Sequence, residues 1–309
     1  MRFVRLFVRG AAKLLWDAFA AMARLRLLFV SADSTQRGNM RQLRNDFQQI
    51  PSLDATGAAE IRGTWESNRL RLRSHVLSRD PRAFLTWDVI RETMFPPPYA
   101  WFARAELKFL QREDWARWRE AIKEKVVGLP FPCLWYPSSS SNAIHHAYHL
   151  CRFEVDTGAR LRDFGTVLEF GGGYGSLCRI VHHLGFRGQY AIFDLPEQSA
   201  LQRYYLASAG IQGVLTISDI GLLEGSFAKP KLFIATWSLS ESPLRVRKQV
   251  AEAVRSFDAF LIAYQSEFAG VDNRAFFDEW QRWFPHVDWR AGTMEHVPAS
   301  TYLFGLRRA

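Results

Sequence analysis

Four of the five residues from Gly171 to Gly175 are glycine, directly after the apolar run "FGTVLEF" and directly before the helix-like "SLCRIVHH". A backbone that bare lets a ligand come close to the main chain. Three ligand classes use such loops. A nucleoside triphosphate loop needs Lys followed by Ser or Thr, and Val167 to Ile180 contains no lysine. The dinucleotide fingerprint GxGxxG fits Gly171 and Gly173 but meets Ser176 where its third glycine or alanine belongs, and it leaves Glu169 beside a pyrophosphate. The spacing that remains is Glu169-x-Gly171-x-Gly173-x-Gly175, with Tyr174 inside the loop. An acid at that edge suits a cationic ligand through charge pairing or hydrogen bonding. Asp194 lies 19 residues beyond Gly175 and closes the run "QYAIFD", with Leu195 next to it. A carboxylate there can take both hydroxyls of a ribose, or it can cap the helix that Pro196 opens. The same two readings apply to Asp219 after "VLTIS".

Groups able to carry a proton stand at two further places. "NAIHHAYHL" reads as a helix, which puts His145 and His149 on one face at i, i+4 and turns His146 about 100° away. Such a pair could bind a metal, but no third ligand accompanies it, and packed histidines would give the same pattern. Glu241, in "WSLSES", follows the fourth apolar run at the binding edge of a parallel sheet; the other reading is an acid in a helix's first turn. Trp237 and Ser238 close that run beside it. Tyr264, Gln265, Asn273 and His296 are weaker candidates for an acceptor side. Trp87, Trp101, Trp115, Trp118 and Trp135 could stack on a sugar but at helical spacing read first as core.

These residues need a sheet to hold them. Beyond Gly158 the runs "FGTVLEF", "QYAIFD", "GVLTIS", "KLFIATW" and "DAFLIAY" alternate with helix-like stretches from Tyr174, Pro196, Leu222 and Pro243. That alternation calls for a parallel sheet covered on both faces. "HVDWRAG" and "STYLFGLRR", joined by few residues, suit an antiparallel pair at its edge. Residues 31–158 read as mainly helical, an interaction region or lid, with "SADSTQRGNMRQ" as a linker and "FPPPYAW" as a break. The expected domains are thus 1–30, 31–158 and 159–309.

The 309 residues carry a formal net charge of +9, and residues 1–75 hold 13 Lys/Arg against 6 Asp/Glu, an excess of +7. A basic excess confined to one end points to a local surface, membrane or partner contact. In residues 1–30, Arg2, Arg5, Arg9, Lys13 and Asp17 gather on one side of a helix opposite Phe, Leu, Val and Ala. Charges recur too often there for a transmembrane span. An amphipathic helix of this kind either lies on an anionic membrane or docks on protein, its own core or a second subunit. Cys133, Cys151 and Cys178 form no CxxC or metal-ligand spacing, so reduced thiols and a cytoplasmic setting are expected, at the inner face of a membrane if the first helix lies on lipid.

With these residues in place, the acid-x-Gly-x-Gly-x-Gly loop resembles that of class I methyltransferases. "SNAIHHAYHLCRFE", "YAIFDLPEQSALQRYYLASAG", "TWSLSESP" and "FLIAYQSEFAGVDNRAFF" narrow the resemblance to the bacterial family described as sugar O-methyltransferases, from roughly Asn68 to the C-terminus. The resemblance implies a Rossmann-like α/β sheet, mostly parallel with an antiparallel last strand, behind a helical N-terminal region. It implies S-adenosylmethionine as cofactor and methyl transfer to a sugar or glycan hydroxyl; no residue is assigned as a metal ligand, and the sequence leaves any metal requirement open. Glu169, Gly171, Gly173, Tyr174, Gly175, Asp194, Leu195, Asp219, Trp237 and Ser238 would then hold the cofactor. His145, His146, His149 or Glu241 would take the hydroxyl proton, since so weak an acid needs a base. A non-catalytic scaffold and a nucleic-acid methyltransferase stay open as alternatives; the absence of an NPPY-like motif disfavours nucleic acid as partner.

Overall fold

A computed structural model describes residues 2–51, 64–94, 101–224 and 227–308. The side chains of residues 2–13, 15, 64 and 101 lie outside that description, and with them the basic set Arg2, Arg5, Arg9 and Lys13 and the indole of Trp101. The break expected at "FPPPYAW" falls mostly outside it as well.

The chain divides into two compact units, residues 1–148 with 203–210, and residues 149–202 with 211–309. The division falls at His149 rather than near residue 158. The first unit contains α1 (Arg2–Phe29), α2 (Ser34–Gln49), α3 (Thr64–Ser78), a 3-10 turn (Pro81–Thr86), α4 (Asp88–Met94), α5 (Trp101–Arg112) and α6 (Trp115–Ile122). A short hairpin, β1 (Pro132–Cys133) and β2 (Tyr136–Ser140), precedes α7 (Ser141–Thr157). The expected linker is largely the start of α2. Asp33 accepts from Gln36 N–H at 2.8 Å and the Gln36 side chain accepts from Asp33 N–H, a capping box that begins the helix three residues into the polar run. Phe47, Leu72, Val76, Phe84, Ile90, Leu110 and Trp118 are buried in this unit's interior. Trp87 is buried too, while Trp115 and Trp135 are half-buried, Trp135 beneath the Arg104 guanidinium at 4.9 Å.

The second unit is built on a seven-stranded sheet. Its elements are β3 (Thr166–Phe170), α8 (Ser176–His183), β4 (Gln189–Phe193), α9 (Pro196–Ala209, whose last turns belong to the first unit), β5 (Leu215–Ile217) and β6 (Lys231–Thr236). There follow α10 (Leu244–Ala253), β7 (Ala259–Gln265), a small hairpin of β8 (Glu267–Phe268) and β9 (Val271–Asp272), α11 (Asn273–Trp283), β10 (Val287–Thr293) and β11 (Ser300–Arg307). The stretch expected to be helical from Leu222 is only a 3-10 turn, Ile220–Glu224.

The sheet order is β10-β11-β7-β6-β3-β4-β5. β3 to β7 run parallel, and β11 enters antiparallel between β7 and β10. This is the expected Rossmann-like sheet, mostly parallel with the last strand antiparallel. Every residue of β3 is buried, as are Leu232–Ala235 of β6 and Ala259–Tyr264 of β7, because helices cover a parallel sheet on both faces. From β3 the chain winds outward through β4 to β5, then returns to β6 on β3's other side. The loops after β3 and β6 therefore part at the topological switch point, where open α/β sheets take ligands.

Candidate functional site

At the switch point the β3 loop and the β6 loop lock together. Gly171 has φ +74°, and a Cβ there would fall on Ser238 Cβ, while the Ser238 hydroxyl donates to Phe170 O. Only glycine meets both the left-handed backbone and that approach. Gly175, at φ +95°, turns the chain into α8, so the helix's first N–H groups open toward the loop. Trp237 sits at φ +61°, uncommon for an aromatic residue, and its N–H donates to Ala263 O at 2.7 Å. Such a backbone is held only where neighbours over-determine it, and it clusters at ligand sites.

Glu169 is 4% exposed and accepts from the Tyr190 hydroxyl at 2.8 Å. Burial pushes its carboxyl up to about 8, against the pull of that hydrogen bond. It lies under the glycine loop, since a Cβ on Gly172 would come within 3.1 Å of its Cδ. Asp194 ties the ends of β3 and β4 together. Its Oδ2 accepts from Gly173 N–H at 3.1 Å and from Gln202 Nε2 at 2.9 Å, and its Oδ1 from Leu195 N–H at 2.8 Å. Burial raises it to about 7 in spite of these donors. Gln202 also donates to Gly173 O at 3.0 Å and is fully buried. Tyr174 is buried within the loop, and Ser176, the first residue of α8, keeps its hydroxyl buried with no hydrogen-bond partner. Asp219 is exposed and accepts from Gly221 N–H at 2.9 Å, capping its own 3-10 turn.

The β6 loop carries a second group. Glu241 is half-buried, accepts from Gln265 Nε2 at 3.4 Å, and is raised by burial. Arg247 fixes the backbone next to it. This guanidinium is 1% exposed and donates from Nε to Ser242 O at 2.7 Å, from Nη1 to Asn273 Oδ1 at 2.7 Å, and from Nη2 to Ser240 O. Asn273 Nδ2 in turn donates to Gln265 O at 2.9 Å. With carbonyl and amide partners and no acid, burial lowers Arg247 to about 10. Tyr264 is stacked on Phe277 with centroids 4.2 Å apart.

The three histidines of α7 go different ways. His149 is fully buried, shares a hydrogen bond through Nδ1 with the Tyr302 hydroxyl, and meets the Trp237 ring edge-on at 5.2 Å. It thus props the strained Trp237. His145, in the helical unit, has Nδ1 2.6 Å from Oε1 of Glu106, which is fully buried. A carboxylate accepting from Nδ1–H makes Nε2 the basic nitrogen. His146 is half-buried. Among the described residues no group of three His, Cys, Asp or Glu could hold a metal ion.

Several of these residues carried no sequence signal. Gln202 is one glutamine on a long helix, eight residues after Asp194. Glu106 is 39 residues from its histidine, and Arg247 stands among the basic residues of α10.

No protein-family model matches this sequence, and no curated protein matches it. Among solved structures, it is similar to mitomycin 7-O-methyltransferase MmcR at 14% identity, over 76% of this chain and 75% of that one, with a TM-score of 0.40. It is similar to a glycopeptide N-methyltransferase, MtfA, complexed with sinefungin, at 13% identity over 51% and 85%, TM-score 0.39. A precorrin-6y C5,15-methyltransferase from Geobacter metallireducens is 12% identical over 55% and 89%, TM-score 0.38.

Proposed function

We propose that this protein transfers a methyl group from S-adenosylmethionine to a hydroxyl of a sugar acceptor. The observation that carries the reading is the buried acid under the glycine loop together with the Asp194 bridge at the switch point. S-adenosylmethionine joins a cationic amino acid to a nucleoside and has no phosphate. Glu169 and Asp194, both raised by burial, fit a ligand that brings positive charge, which would draw off their protons, and ribose hydroxyls; a pyrophosphate would instead hold those protons in place and meet no cation there. Ser176 adds a buried hydroxyl still able to donate and accept at the helix start.

Bound there, the cofactor supplies an activated methyl on a sulfonium. The chain's own residues do the rest. Gly171, Gly173 and Gly175 admit the ligand to the backbone. Gly173 N–H and Gln202 hold Oδ2 of Asp194, so its Oδ1 keeps an acceptor site for a ribose hydroxyl beyond Leu195 N–H. Glu241 is the base: desolvation makes its carboxylate more avid for a proton, and the Arg247 network fixes its loop. Alignment of acceptor oxygen and methyl supplies much of the remaining catalysis. The sugar as acceptor class follows from the motif resemblance noted in the sequence.

Calorimetry with S-adenosylmethionine tests the cofactor: binding is expected, weakened by at least about 30-fold in Asp194→Ala through loss of charged hydrogen bonds. No binding by the wild type would make the chain a non-catalytic scaffold. Labelled cofactor offered with nucleotide sugars and cell-envelope glycan extracts tests the acceptor. Glu241→Gln should lower kcat by about 100-fold with cofactor affinity unchanged, within the range for general-base loss. If His145→Gln does so instead, the base is the Glu106-backed imidazole.

A further inference from the structure

Helix α1 carries more apolar surface than its own unit uses. One side is committed: Trp16 stacks on Phe131 at 4.8 Å, and Ala20 and Ala23 are buried, with Ala23 and Leu27 packed against Ala83 and Leu129. Arg82 donates from Nη1 to Val30 O at 2.6 Å and Arg91 pairs with Asp17 at 3.0 Å, so the helix is fixed at its end and along its length. The other side is apolar and exposed. Leu14, Met22, Leu25, Leu28 and Phe29 are 72%, 62%, 57%, 77% and 87% exposed, and with exposed Ala18 and Ala21 they recur every three or four residues. In the sequence the same spacing runs back through Phe7 and Phe3. A stripe of this size on a surface marks an interaction site.

A second feature adjoins it. A cavity of about 330 Å³ is lined by Leu27, Leu28, Ala83 and Trp87, with Arg24, Arg79 and Asp80 also around it. Asp80 is spent on Arg82, with contacts of 2.6 Å to Nη2 and 3.1 Å to Nε. Arg24 and Arg79 are exposed and have no carboxylate partner among the described residues. Leu28 belongs to both stripe and cavity.

We infer that α1 docks on an anionic phospholipid surface, the stripe entering the acyl boundary while Arg24 and Arg79 take a lipid phosphate above the apolar cavity. Charge decides the occupant. A second copy would bring the same basic segment, part of the +7 excess in residues 1–75, against itself, whereas anionic lipid neutralises it. Among the described residues no helix is long and apolar enough to cross a membrane, so α1 would lie on the surface. The inference stands apart from the methyl-transfer reading, and its test needs no substrate.

The test is flotation of the full chain with vesicles of phosphatidylcholine alone or with one-third phosphatidylglycerol. Binding to the anionic vesicles only is expected, decreasing as salt is raised. Leu25→Asp with Phe29→Asp should weaken it at least about tenfold, from lost apolar burial, and Arg24→Glu with Arg79→Glu by a similar factor, at roughly 1 kcal/mol per basic residue. Both variants change exposed residues, and an unchanged thermal midpoint would certify the fold. Failure of the wild type to float on anionic vesicles overturns the inference. So does a dimer in sedimentation that Leu25→Asp with Phe29→Asp dissolves while flotation persists, or calorimetric uptake of inorganic phosphate without vesicle binding.

Discussion

In the helical unit the carboxyls of Asp80 and Asp88 sit below their ordinary range, whereas in the sheet unit those of Glu169, Asp194 and Glu241 sit above theirs. Burial pushes all five upward. The difference lies in their partners. Asp80 has the Arg82 guanidinium and N–H, and Asp88 has the Arg71 guanidinium at 2.9 Å with His75 beside it, so in each case hydrogen bonds that include a guanidinium outweigh burial. Glu169 has a tyrosine hydroxyl, Asp194 has amides, and Glu241 has a glutamine. Asp80 and Asp88 are satisfied within the fold, whereas Glu169, Asp194 and Glu241 are given no cation by it among the described residues. The partner that the fold supplies thus separates acids it has satisfied from acids still open to a ligand.

The largest effect is expected at the glycine loop. Gly171→Val places a β-branched side chain at positive φ and into Ser238, so the sheet unit should lose at least about 4 kcal/mol and its cofactor binding altogether. Urea unfolding and calorimetry check this. A valine variant that binds as well as the wild type would remove the loop from the site.

Glu169→Gln sharpens the comparison of acids. The folded carboxyl titrates near 8 against an ordinary 4.5, so the folded state holds the proton more tightly. Its contribution therefore favours the fold fully below about 4.5 and is lost as pH rises toward 8, on the order of 3 kcal/mol by pH 7. The glutamine variant should be more stable than the wild type at pH 8, nearly equal at pH 4.5, and bind S-adenosylmethionine about 10- to 100-fold more weakly, as loss of a charged hydrogen bond allows. Greater stability with unchanged binding would leave Glu169 a buried acid with no ligand.

Much of this site was legible because it is local in sequence. The acid and three glycines occupy Glu169 to Gly175, Asp194 ends the next strand, and both are set by strand-to-helix turns that a run of apolar residues announces. The strands themselves read from their apolar runs, including the final antiparallel pair. What could not be read depends on contacts between distant residues. The Glu106–His145 pair, the Tyr302 hydroxyl on His149 and the Arg247 bonds to Ser240 and Asn273 follow from packing, which leaves no spacing rule. The hairpin β1–β2 was hidden for another reason: its pairing is local, but Pro132–Cys133 and Tyr136–Ser140 carry two prolines and a serine run with no apolar alternation to announce a strand. The start of α2 is a different case: Asp33 and Gln36 stood at capping-box spacing, and the surrounding polar composition obscured it.

In the helical unit Asp80→Asn should act in the opposite sense to Glu169→Gln. Asp80 accepts from Arg82 N–H at 2.9 Å and from its guanidinium, and Arg82 in turn holds the end of α1. Because the folded carboxyl is lowered, its stabilisation is present above the ordinary 3.8 and is lost as pH falls through the folded value. The site is partly solvated, so the variant should lose only about 1 kcal/mol at pH 7, with the difference shrinking in acid. Unfolding curves at pH 7 and pH 3 check the sign.

The smallest effect isolates backbone from chemistry. Gly38 lies inside α2, exposed, with nothing within 4 Å of a Cβ placed on it, whereas a Cβ on Gly171 meets Ser238. Glycine in a helix interior leaves the unfolded chain more freedom to lose, so Gly38→Ala should stabilise by about 0.5 to 1 kcal/mol and leave cofactor binding untouched. The two glycines differ in what surrounds them and in the sign of φ that their element imposes. A small gain at Gly38 beside a large loss at Gly171 would show that the loop's glycines are kept for the approach they allow. A loss at Gly38 would mean that this face of α2 is covered in solution, and vesicle flotation of Gly38→Ala against the wild type would then tell whether lipid covers it.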